Sequence, residues 1–263
     1  MRALLRISLV LLLASSAQAI DITSPGQTVP KNGEGVLQAD LVCPPPAGDE
    51  AIPVGVALED GARLDLNGHT LDGCSIQGTG FATEPLKIGV RGPGEVHNAG
   101  IDIGAGTLRV RDVVIVDPPN WGILGLNGLN GGPSTLKLKD VTITGATGVG
   151  VEATRVIAKD LSVSGSGSHG IVGWESVNAT RAVVTGSTEG IFSAESIRLR
   201  DSEVTGNTSF GVIANLTISI ARSNVTGNGT DLASQIVPRV KASTCDTSLN
   251  MQTMLPWGVC AGD

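Results

Sequence analysis

Residues 136–145 read LKLKDVTITG, and four later segments repeat the design: VIAKDLSVSG (156–165), VNATRAVVTG (177–186), IRLRDSEVTG (197–206) and ISIARSNVTG (218–227). Their closing glycines, Gly145, Gly165, Gly186, Gly206 and Gly227, step by 20, 21, 20 and 21 residues. A second marker keeps the same phase: Gly150-Val151, Gly170-Ile171, Gly190-Ile191, Gly211-Val212, and finally Asp231-Leu232. Periodicity of this length is the signature of a solenoid. Apolar and polar residues alternate within each unit, as at Leu136, Leu138, Val141 and Ile143, which is strand periodicity. No window carries a helical stripe long enough for a crossover helix.

Stacking the units predicts two inward columns. One is Ile143, Val163, Val184, Val204 and Val225; the other is Leu138, Ala158, Ala179, Leu199 and Ile220. The expected fold is all-β: a right-handed parallel β-helix with about 20–22 residues per coil, about eight coils and disulfide-stapled ends. Working outward, 1–19 reads as a signal peptide, with Arg2 and Arg6, an apolar core and an Ala17-Gln18-Ala19 cleavage site. Residues 20–63 read as the N-terminal cap and entry segment, 64–235 as the β-helix and 236–263 as the C-terminal cap. The step from Gly122 to Gly150 is 28 residues, which places an insertion within GLNGLNGGPST (125–135).

An exported chain with four cysteines favours two disulfides, and three connectivities exist. Sequential pairing, Cys43–Cys74 and Cys245–Cys260, staples each end of the stack and is the expected one. Secretion, extracellular or periplasmic, follows from the signal, and no later segment is long and apolar enough to span a membrane. The formal charge is −7, and −9 once Arg2 and Arg6 are removed. That balance disfavours nucleic acid and weakens the case for an acidic polysaccharide unless calcium bridges the two. Aromatic residues make up 2% of the chain, so sugar-stacking platforms are few: Trp121, Trp174 and Trp257.

Two residue groups carry candidate chemistry. Aligning the inward residues Leu71, Val96 and Ile115 places Asp72 and His97 in one column of adjacent coils, with Asp117 one position further on. A carboxylate beside an imidazole can abstract and return a proton; alternatively, these residues bond corner backbone. The acids Asp112, Asp140, Asp160 and Asp201 share one phase of the repeat. Asp140 and Asp160, on neighbouring coils, could hold calcium, or the row is a solvated corner offset by lysines and Arg181. No cofactor is required, and calcium is the one the acid row could take. Asn207 and Asn228 occupy equivalent positions and read as a structural ladder. The GSGSHG run (165–170) matches a dinucleotide loop, but no helix follows it and the repeat accounts for each glycine.

The runs LDLNGHTLDGC (64–74) and VRGPG (90–94), with the recurring VTG…GI units, resemble right-handed parallel β-helix repeat proteins. The resemblance is to the pectate-lyase-like superfamily and to NosD-like secreted proteins. It implies the fold and leaves the activity open, because the superfamily spans lyases, hydrolases, epimerases and proteins without known reactions. VDPPN, starting at Val116, lacks the histidine of the DPH motif of alginate epimerases. The expected function is a non-catalytic extracellular or envelope scaffold presenting a sheet face to a polysaccharide or cell-surface glycan. The alternative is a polysaccharide lyase or epimerase with a site in coils 1–3.

Overall fold

A computed structural model describes residues 19–45, 51–79, 85–125 and 133–263. The proposed signal segment, apart from Ala19, lies outside these residues, as do 126–132 within the expected insertion. The described chain is all-β and forms a parallel solenoid of about nine turns. All strand pairing between turns is parallel, and each strand bonds to its equivalents one turn before and after. The count exceeds the eight coils expected because parallel stacking begins earlier than the recognisable repeat. Ile20–Ile22 pairs with Glu34–Leu37, and Glu34–Leu37 pairs with Arg63–Asp65.

Each turn has three faces. Face A runs from Ile20–Ile22 and Glu34–Leu37 through Arg63–Asp65 to Ser196–Arg200, Thr217–Ala221 and Arg239–Lys241. Face B includes Thr70–Asp72, Val183–Thr185 and Glu203–Thr205. Face C includes Ser75–Gly78, Ile101–Asp102, Trp121–Gly125, Glu189–Ser193 and Phe210–Ala214. In the middle turns Leu86–His97, Gly106–Val116 and Ser134–Thr144 run through faces A and B without a break. The corner between those faces is made by left-handed residues, Asp112, Asp140, Asp160, Arg181, Asp201 and Arg222, with φ between 49° and 58°. Asp at this position is one of the few side chains that tolerates that conformation.

Both expected inward columns stack in register, Ile143↔Val163↔Val184↔Val204↔Val225 and Leu138↔Ala158↔Ala179↔Leu199↔Ile220. Every residue of the first column is fully buried. Burying one such side chain contributes roughly 1.5–3 kcal/mol. The Gly-Ile/Val marker has a steric cause. A Cβ on Gly170 would lie 2.4 Å from Val184 Cγ1 and 2.6 Å from the Gly190 carbonyl, so only glycine fits where the chain enters face C.

The last member of that column is Asp231, and it ends the repeat. Asn207 Nδ2 donates to Asn228 Oδ1 at 2.8 Å, and Asn228 Nδ2 donates to Asp231 Oδ1 at 2.9 Å. Asp231 Oδ2 accepts from the backbone N–H groups of Asp246 and Thr247 in the following turn. The asparagine pair is thus a corner ladder, as its spacing predicts. The disulfides are Cys43–Cys74 and Cys245–Cys260, the sequential pairing.

Candidate functional site

Asp72 and His97 are register partners on face B, as the inward alignment requires. Their side chains turn to different neighbours. Asp72 Oδ1 accepts from Asn98 Nδ2 at 2.7 Å, while His97 Nε2 lies 2.6 Å from Glu95 Oε2. Asp117 belongs to the next corner, a left-handed row that runs Gly73, Asn98, Asp117, Gly145 and Gly165, each N–H bonding to the following turn. Its carboxylate packs over Gly145, where an added Cβ would meet Oδ1 at 2.1 Å. Asp72 and Asn98 border a depression of about 400 Å³ with Val42, Gly73 and Pro119.

The acid row is tied up in ion pairs. Asp160 accepts Arg181 Nε at 2.5 Å and Nη2 at 2.6 Å, and Asp201 accepts Arg222 Nε at 2.6 Å and Nη2 at 2.8 Å. The Arg181 guanidinium holds the Asp160 carboxyl below the usual carboxylate range, and Arg222 does the same to Asp201. Asp140 is 3.3 Å from Lys139 Nζ and Asp112 is 3.0 Å from Arg111 Nε. With both oxygens of Asp160 on Arg181, the Asp140–Asp160 pair presents fewer free oxygens than a calcium site collects. Among the described residues no group of three or more His, Cys, Asp or Glu is arranged to hold a metal.

Cations are segregated on face A. One outward row is Arg63, Gly89, Arg109, Lys137, Ile157, Asn178, Arg198, Ser219 and Arg239, in register. The row beside it, from Arg91 on, is Arg91, Arg111, Lys139, Lys159, Thr180, Arg200, Ala221 and Lys241. A third row adds Lys87 and Arg155. From Leu86 onward none of these rows contains Asp or Glu; the acids sit at the bounding corner. Arg63, Lys87, Arg109 and Lys137 surround a notch of about 320 Å³ floored by Gly89. Among the described residues none of the four is paired to a carboxylate, whereas neighbouring Arg91 is held by Glu34 and Asp65 at 2.7 Å each. A Cβ on Gly89 would meet only Arg63 Cγ, at 3.5 Å, so neither φ nor crowding demands glycine here. The net negative charge concealed this face, because net charge is a single number and carries no geometry.

Face C gathers the aromatic side chains. Glu152 accepts the indole N–H of Trp121 on one oxygen and that of Trp174 on the other, each at 3.1 Å. Trp174 reaches this position through a bulge: register slips between Ala153 and Arg155, adding one residue to the partner strand. A Cβ on Gly173 would lie 2.5 Å from the Ser176 carbonyl, so the bulge requires glycine there. Phe192 packs edge-on against both Trp174 and His169, with ring centroids 5.8 and 5.9 Å apart. Trp121 also walls a cleft of about 500 Å³ between face C and Ile52 of the entry segment. Asp102 lies in that cleft, where burial pushes its carboxyl above the usual range against the lowering effect of the Gly104 N–H. Sequence reading named both tryptophans but not their convergence, and it passed over Asp102 and Gly89.

Comparison with protein-family models finds no match to this chain, and comparison with curated proteins finds none.

Proposed function

We propose that this protein is an exported, non-catalytic scaffold that binds an acidic polysaccharide along face A. The carrying observation is the outward rows from Leu86 on, which hold Lys and Arg without Asp or Glu. Arg91, Arg111, Lys139 and Lys159 follow one another on successive turns about 4.8 Å apart, with Arg109 and Lys137 beside them, a short ladder suited to a linear polyanion. Nucleic acid is the poorer fit. The aromatic groups that would stack on bases lie on face C, and the acidic corner confines the positive strip to the width of one sheet. A bare anionic membrane is poorer too, since Ile157 is the one large apolar side chain exposed in these rows. The pectate-lyase-like and NosD-like placement belongs to the same proposal and rests on the repeat pattern and the parallel solenoid.

The test is titration with oligogalacturonate, a sulfated oligosaccharide and neutral dextran, at two salt concentrations and with or without calcium. Acidic ligands should bind without calcium and weaken as salt rises. Arg109→Gln with Lys137→Gln should lower affinity about tenfold or more, equivalent to about 1.4 kcal/mol. Gly89→Val should fill the notch and weaken binding while leaving the melt intact. Acidic ligands that bind no better than dextran would sink the proposal.

A lyase or epimerase using Asp72, His97 and Asp117 has the Asp72–His97 register in its favour. The same ligands test it: ultraviolet absorbance of unsaturated products reads a lyase, and nuclear magnetic resonance of the sugar configuration reads an epimerase.

A further inference from the structure

We infer that the cleft on face C walled by Trp121 is a second carbohydrate site, selective for an uncharged sugar and independent of the basic face. Its lining combines an indole with Ser75, Gln77, Asp102 and Asn120, and Ile52 and Leu124 supply the apolar wall. Among the described residues no Lys or Arg borders it, so none of them would compensate an anionic substituent. An acidic sugar would also meet Asp102, a carboxyl that burial already disfavours in its charged form. A neutral sugar ring suits the site: its apolar face covers an indole and its hydroxyls pair with amides and a carboxyl.

Two features show that the platform is prepared before a ligand arrives. Glu152 fixes the edges of Trp121 and Trp174 through their indole N–H groups, which removes rotamer freedom that binding would otherwise have to freeze. Trp121 and Trp174 remain 39% and 46% exposed even so, leaving aromatic surface open to solvent. Trp174 continues the platform beyond the cleft, braced by Phe192, and so extends it for further rings of a chain. A single polypeptide thereby offers an acidic-glycan ladder on one face and a neutral-sugar seat on another, the arrangement of a cross-linker between two polymers.

The experiment is titration of the full exported chain with cellohexaose, mannohexaose, maltohexaose and xylohexaose, with oligogalacturonate as the charged control. At least one neutral oligosaccharide should bind, and Trp121→Ala should weaken it about tenfold or more. Asp102→Leu should weaken it similarly, whereas Asp102→Asn, which keeps the hydrogen-bonding shape without charge, should retain it. Leu124→Trp, which fills the cleft from its wall, is the second blocking variant should Trp121→Ala perturb the fold. Gly89→Val should leave neutral binding unchanged, so that failure on face A and failure here read separately. Absence of binding to all four neutral ligands would overturn the inference. So would a bound ligand indifferent to both Trp121→Ala and Leu124→Trp.

Discussion

Asp72 and His97 stand opposite each other in adjacent turns, yet Asp72 bonds to Asn98 and His97 bonds to Glu95. The parallel ladder sets which residues are neighbours; it does not set which rotamers they adopt. Asn98, in left-handed conformation at the corner, brings its amide within 2.7 Å of Asp72, and Glu95 lies on the same strand as His97. The two side chains therefore make separate contacts, Asp72 at the corner and His97 along its own strand.

From that geometry, His97→Ala should change stability by less than about 1 kcal/mol, because its partner is an exposed carboxylate. Asp72→Ala should also cost less than about 1 kcal/mol, because the exposed Asn98 amide regains water in place of Asp72. Urea melts of the two single variants and the double variant measure both. A coupling energy well above experimental error in that cycle would show that the two side chains act together after all.

The Asn207–Asn228–Asp231 chain ends on Asp231, which ties the last corner to the turn that follows. Its buried carboxylate serves Asn228 and two backbone N–H groups of the next turn. Asp231→Ala should destabilise by about 3 kcal/mol or more, since hydrogen bonds to a charged group are each worth roughly 1.5–3 kcal/mol. Amide exchange should localise the loss to residues 228–250. Uniform loss across the solenoid would contradict a local cap.

Acid stability should follow Asp160 and Asp201. Their folded-state pKa values lie below the unfolded value near 3.9, so the stability they add is present above about pH 4 and is lost as pH falls below it. Arg181→Gln with Arg222→Gln should flatten that acid limb in denaturation measured from pH 2 to 6. Asp102 has the opposite sign. Its raised pKa favours folding below the unfolded value, and that contribution fades as pH rises through the folded value. Asp102→Asn should then stabilise the protein at pH 7, with the gap closing below about pH 4; an unchanged gap at pH 3 would remove the burial argument.

Reduction should loosen the two ends. Cys245–Cys260 spans 15 residues and Cys43–Cys74 spans 31, so each removes about 3 to 4 kcal/mol of unfolded-state chain entropy in the loop-closure model. Calorimetry of the Cys43→Ser/Cys74→Ser and Cys245→Ser/Cys260→Ser variants should give a lower Tm for each. A Tm unaffected by either would mean that the end turns do not limit unfolding.

The sequence alone determined the solenoid and its inward columns, and it favoured one of three disulfide pairings that the structure then showed. The 20- and 21-residue steps leave one register in which Ile143, Val163 and Val184 all face inward, and parallel stacking then brings Cys43 beside Cys74. The cation rows of face A lay in the same periodicity, at Arg109, Lys137 and Arg198, but summing them with the corner acids into one negative total hid them. Only the tertiary structure decided face C. Trp121 keeps the repeat phase, in register with Val149, whereas Trp174 sits on a bulge that adds a residue, so the repeat phase does not align the two. Their meeting at Glu152 depends on side-chain directions set by that bulge and by hydrogen bonds across turns. Likewise Asp102 became distinctive only once the fold set it, partly buried, in a cleft that it shares with Ile52, fifty residues earlier. Periodicity encodes which residues share a row; desolvation and rotamer choice arise from every neighbour at once.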